Sequence, residues 1–162
     1  MAQIGEEREE NVELSLQTFL NTNYTLTAIR WPGVVFEESK FSEWIVPVLL
    51  EATGRYHRQV ASGRLGKTVP FIYNIQAIVK RTFLENGNAM RGRRIADTLL
   101  YLFREPKSID VRDYVAGGSP PALIGSMQCF DTDSISLGLD QETGVYMWAV
   151  SCTMFYTLQW EG

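Results

Sequence analysis

Histidine occurs once in this chain, at His57, and cysteine twice, at Cys129 and Cys152. So small a stock excludes a disulfide framework and a Cys/His zinc site, which need several such residues at short spacings. Both cysteines fall in strand-like stretches, so they read as reduced thiols packed in a core, in a cytosolic setting. No apolar run approaches the ~20 residues that a membrane-spanning helix requires. The opening residues, MAQIGEEREE, are polar and acidic, unlike a secretory signal. Internal repeats and an interdomain linker are missing too, and the chain reads as one domain over residues 1–162.

What is present is the composition of an ordinary soluble protein, 45% hydrophobic and 21% charged, with length enough to bury a real core. The formal charge of −4 disfavours wholesale binding to nucleic acid. The charge is uneven, however. Residues 6–13 hold five glutamates against one arginine, whereas RYHRQVASGRLGK (55–67) holds Arg55, Arg58, Arg64 and Lys67 and no acid. MRGRR (90–94) adds Arg91, Arg93 and Arg94.

Periodicity organises the chain. Val12, Leu16, Phe19 and Leu20 form one apolar stripe, which predicts an N-terminal helix from about Glu6 to Leu20 within residues 1–23. Its glutamates lie toward the end where the helix dipole favours negative charge. YTLTAIRW (24–31) reads as a strand stopped by Pro32-Gly33. In EWIVPVLLEA, the residues Trp44, Val46, Val48, Leu50 and Ala52 alternate onto one face, which predicts a strand with Trp44 in the core. Pro47 marks it as an edge strand or a bulge. A second strand carries Val69, Phe71, Tyr73, Ile75, Ala77 and Val79 on one face. The two pair as a long antiparallel hairpin with a cationic tip around Ser62–Lys67. A second helix, roughly Ala89 to Arg104, shows the stripe Ile95, Leu99, Leu102, Phe103 and stops before Pro106. Its cations fall in the first turns, where the dipole disfavours them, so an acidic partner is expected there. The last third alternates without interruption from Tyr146 to Trp160 and pairs with residues 122–140 through a glycine-ended turn. Asp131 and Asp133 suit a bulge in the first of those strands. The expected fold is therefore α+β, an antiparallel sheet with long hairpins and two packed helices.

A search for chemistry finds little. His57 in a basic hairpin reads as a surface residue, and a Cys–His nucleophile pair requires the two to meet. The carboxylate pairs Asp131/Asp133 and Asp110/Asp113 have no histidine nearby and no EF-hand spacing, so they read as solvated loop residues. GRLGKT (63–68) ends like a phosphate loop, but Ala61 stands where the earlier glycine belongs, and a strand follows instead of a helix. No cofactor, metal or catalytic residue is expected, and the chain reads as a non-enzyme. The basic clusters suit phosphate contact, subunit contact or simple solubility.

AIRWPGVVFEESKFSEWIVPVLL (28–50) resembles the opening of phage tail-terminator and related minor tail (neck, tail-completion) proteins. The long hairpin, the helix RGRRIADTLLYLF with Ala96-Asp97 and Phe103, and the closing GVYMWAVSCTMFYTLQW (144–160) are similar to that family's pattern as well. Together these cover Leu26 to Trp160. The charge of 55–67 and the loop VAGGSPPAL lie outside the pattern. The resemblance implies a structural virion protein, made in the host cytoplasm and placed in the tail or neck. It forms a ring, usually hexameric, at the head-proximal end of the tail tube. The ring stops tube polymerisation and docks to the neck or head connector. Its implied partners are further copies of itself, the tail tube protein and a neck or head-completion protein, with passing contact to DNA in the lumen and none to a membrane. The residues expected at such contacts are Trp31, Phe36 and Phe41 beside the acidic loop, Arg55, Arg58, Arg64 and Lys67 on the hairpin, and Arg91, Arg93 and Arg94 on the helix. The alternative expectation is a nucleic-acid-binding module that uses hairpin 55–67.

Overall fold

The computed structural model describes residues 5–51, 57–61, 64–80, 85–104 and 108–158. Helix α1 (Gly5–Asn23) is followed by strands β1 (Ala28–Ile29), β2 (Glu43–Glu51), β3 (His57–Ala61) and β4 (Arg64–Lys80). Helix α2 (Glu85–Leu102) and strands β5 (Ser108–Arg112), β6 (Leu123–Asp140) and β7 (Val145–Leu158) complete the chain. The strands form one sheet in the order β1-β2-β4-β7-β6-β5, with β3 paired to β4 beyond β2. Every pairing is antiparallel except the short β1–β2 contact. The fold is α+β, with both helices on one side of a hairpin-built sheet.

The core lies between the helices and that side of the sheet. Val12, Leu16 and Leu20 of α1 and Ile95, Ala96 and Leu99 of α2 are buried against Phe71, Tyr73, Ile75, Ala77 and Val79 of β4 and Val150, Cys152, Met154 and Tyr156 of β7. Each fully buried large side chain contributes ~1.5–3 kcal/mol of transfer free energy. Phe103, just past α2, joins the layers. Its ring lies 5.3 Å from that of Phe19 on α1 and 5.9 Å from that of Tyr73 on β4. Polar groups tie α1 to the sheet as well. The buried Asn11 side chain accepts from the backbone N–H groups of Tyr114 and Val115 and donates to Asp113. Ser15 accepts from the Arg112 N–H.

Three expectations change on the structure. Residues 24–27 do not enter the sheet, because the Tyr24 N–H bonds the Leu20 carbonyl and its hydroxyl bonds Thr27. These residues close the end of α1 instead, and only Ala28–Ile29 remain as strand. On β2, Ile45, Pro47 and Leu49 are register partners of Ala77, Ile75 and Tyr73, so they face the helices. Trp44, Val46, Val48 and Leu50 therefore face away from them. Both alternating sets are apolar, so a period of two does not reveal which one the core takes. Third, α2 begins at Glu85, which places Arg91, Arg93 and Arg94 six to nine residues into the helix. That is past the first turn, where the dipole would oppose them. The bulge anticipated near Asp131 is present, as a register shift between Cys129 and Asp131.

Candidate subunit interface

The loop between β1 and β2 is organised around Trp44. Phe36 stacks on Phe41, with ring centroids 4.7 Å apart and 18° between planes, and tilts onto Trp44 at 5.6 Å. The Lys80 ammonium stands 5.5 Å from the Trp44 ring centroid and also donates to the Glu38 carbonyl. Arg30 pairs with Glu38, and Lys40 with Glu37. Under this cover Trp44 is only 2% exposed, although it lies on the side of the sheet away from the helices. The core role expected of Trp44 thus holds in burial, in a small satellite cluster of aromatic rings. Of the three aromatic contact residues anticipated here, Trp31 packs against the main core, Phe36 is half-buried on Trp44, and Phe41 retains partial exposure. The apolar groups that this loop presents most fully to solvent are Val34 and Val35, ahead of Phe41. They follow Gly33, whose φ of +75° turns the chain outward. Two β-branched residues directly after Pro-Gly, in a polar stretch, were the available signal.

The basic hairpin is an arm of the sheet. Among the described residues β4 pairs with β7 from Thr68 onward, and β3 pairs with β4 at residues 64–68. Residues 57–61 and 64–67 form a two-stranded ribbon, the arm. In its register Arg58 is directly opposite Lys67, and Ala61 opposite Arg64. Directly opposed like charges weaken a ribbon. Arg55 lies outside the described residues.

On α2, Arg91 makes a bidentate pair with Glu43 of β2, with N–O distances of 2.7 and 2.6 Å. This hydrogen bonding raises the Arg91 pKa above its ordinary value. The acidic partner expected for the helix cations is thus supplied by the chain itself at Arg91. Arg93 lies 4.0 Å from Asp97, both exposed, and Arg94 is exposed with no ion-pair partner among the described residues.

The side of the sheet away from the helices carries no helix among the described residues. It exposes Val48 and Leu50 of β2 and Phe130 and Ile135 of β6. Phe130, extruded at the bulge, meets the Phe155 edge at 5.3 Å. A polar band of Asn74, Gln76 and Ser151 separates these groups, in register across β4 and β7.

The sparse chemistry of the sequence is not brought together. Cys129 and Cys152 are both buried thiols, and burial pushes the Cys152 thiol well above its ordinary value, with Cys129 adding to the effect. His57 pairs with Thr68 and Cys152 with Tyr73 on the same strand, five residues apart. At ~3.3 Å per residue that is about 16 Å, too far for a proton transfer. Asp113 is engaged with Asn11 and the Ala116 N–H, and Asp110 stands 3.9 Å from Arg112. Among the described residues no three His, Cys, Asp or Glu side chains converge. The GRLGKT segment from Arg64 onward is strand, not the turn before a helix that a phosphate loop needs.

No family model matches the sequence, and no curated protein matches it. Solved structures do match. One chain superposes with a TM-score of 0.59 at 10% identity, covering 99% of this chain and 99% of the other. Likeness at that identity shows a shared fold and says nothing of activity or partners.

Proposed function

We propose that this chain is a structural subunit of a bacteriophage tail. It forms a ring at the head-proximal end of the tail tube, ends tube growth there and docks to the neck or head connector. The observation that carries the reading is the arm of β3 and β4, in whose register Arg58 is opposite Lys67. Such a pair costs the isolated fold stability and gains from an anionic partner. A ring joins unlike surfaces, so one flank of a subunit has to complement the other. The glutamate-rich sequence of residues 6–13 is the candidate for the acidic counterpart, in this chain of net charge −4. The assignment to a tail rests on the resemblance across Leu26 to Trp160.

The test is tail length. In a phage carrying this gene, its removal should give tail tubes of uncontrolled length seen by electron microscopy, and the purified protein should halt polymerising tube subunits. Tubes of normal, uniform length without the gene would reject the reading. The same arm supports a second reading, in which its cations meet phosphates of nucleic acid. In that case DNA affinity falls steeply between 50 and 200 mM salt by the usual counterion argument. No measurable DNA binding at low salt would remove it.

A further inference from the structure

We infer that neighbouring copies join edge to edge, with the outer edge of β6 adding to the β2–β3 edge of the next copy to make one continuous antiparallel sheet. This rests on the ring reading and specifies its interface. Four observations converge on it.

The first is that both edges are open among the described residues. β5 flanks β6 only as far as Gln128, and among the described residues no strand flanks Thr132 to Asp140. At the other margin, β1 flanks β2 only at Trp44 and Ile45, so no described strand covers Val48 to Glu51 or β3. An unpaired edge is a template for another chain unless it is blocked. Pro47 on β2 and the bulges on β6 limit casual pairing without closing either edge. On β6, the Asp133 carboxylate accepts from the Ser134 N–H at 2.8 Å, a local cover that a strand can replace.

The second is strand direction. β2 and β3 run opposite to β4, β4 opposite to β7, and β7 opposite to β6. Repeating the sheet by rotation therefore sets β6 antiparallel to the next β2 and β3.

The third is stagger. Val48 and Leu49 lie level with Asp133 and Thr132 through the shared registers of β4 and β7. From that level the open part of β6 runs toward the turn before β7, and the open part of the β2–β3 edge runs toward the arm. A neighbour displaced along the strands brings the two stretches fully together. That displacement is the stagger a sheet needs in order to close on itself.

The fourth is charge. After Arg112 the chain contains no Lys or Arg, and β6 with its following turn holds Asp131, Asp133, Asp140 and Glu142. The arm holds Arg58, Arg64 and Lys67. Pairing β6 with its own symmetry mate would set aspartates against aspartates, whereas pairing it with the arm sets them against cations. The unlike pairing is the one that closes into a ring.

The experiment is amide hydrogen exchange on the full chain, with native mass spectrometry of the same samples from dilute to concentrated protein. In samples with a ring mass, the amides of 132–140 and of 57–61 should slow together relative to monomer. The double reversal Arg58→Glu with Lys67→Glu keeps two like charges opposed in the arm, so folding is little altered, and it should weaken association by roughly ten-fold or more. A ring that forms with both segments exchanging as in the monomer overturns the edge pairing and leaves the ring reading standing. A symmetric dimer with only 132–140 protected also overturns it. A chain that stays monomeric at every concentration overturns both.

Discussion

Gly92 sets the height of α2 over the sheet, and replacing it by alanine should destabilise the protein despite improving helix propensity. A Cβ at this position would lie 2.7 Å from Cδ1 and 2.8 Å from Nε1 of the Trp148 indole. Those contacts are with a rigid ring packed on the core, so relief requires either the ring or the helix to move. Alanine gains ~0.5–1 kcal/mol over glycine inside a helix. Overpacking of this kind costs ~1–3 kcal/mol. The net expectation is a loss of about 1–2 kcal/mol, read from urea unfolding followed by tryptophan fluorescence. The decisive form is a double-mutant cycle with Trp148→Ala, which removes the clashing atoms. In that background Gly92→Ala should become neutral or stabilising, giving a coupling of about 1–2 kcal/mol. An equal effect of Gly92→Ala in both backgrounds, or stabilisation of the parent chain, would refute the close approach. Arg91 directly precedes Gly92, so its bond to Glu43 reports on the same placement of α2 over the sheet.

Three further outcomes follow from the same geometry. Asn11→Ala strips two backbone N–H groups of their acceptor and should cost about 2–4 kcal/mol in denaturant unfolding, with faster exchange at Tyr114 and Val115; unchanged exchange there would contradict the anchoring role. Arg91→Glu or Glu43→Arg alone should destabilise by about 1–3 kcal/mol, while the swapped pair recovers part of the loss; full additivity in the double variant would mean the pair is not coupled. Phe41→Ala removes one ring of the cover over Trp44 and should lower stability by about 1–2 kcal/mol with a red-shifted tryptophan emission. A variant that lost assembly with melting and emission unchanged would instead show Phe41 to be a contact residue alone.

The helices and the last hairpin were legible because their signals are local and one-sided. The stripe Val12, Leu16, Leu20 is buried as its spacing implied, and so are Ile95, Leu99 and Phe103. The alternation from Tyr146 to Tyr156 selects the core face correctly because the intervening residues are largely small or polar. On β2 that contrast is missing. Trp44, Val46, Val48 and Leu50 compete with Ile45, Pro47 and Leu49, and only the register with β4 decides between them. Long-range pairs were not legible at all. The Arg91–Glu43 bond spans 48 residues and the Asn11–Asp113 bond 102, and neither has a local signature. Hence Arg91 looked like a free cation awaiting a partner. The arm was legible as a basic hairpin tip, but the register that sets Arg58 opposite Lys67 was not.

A ring of copies is recognised by its mass. Native mass spectrometry across a concentration series should show a closed oligomer, for a hexamer six times 18.4 kDa, or about 110 kDa, that weakens with rising salt. A monomer at every concentration, or a dimer as the largest species, would mean that the protein forms no ring.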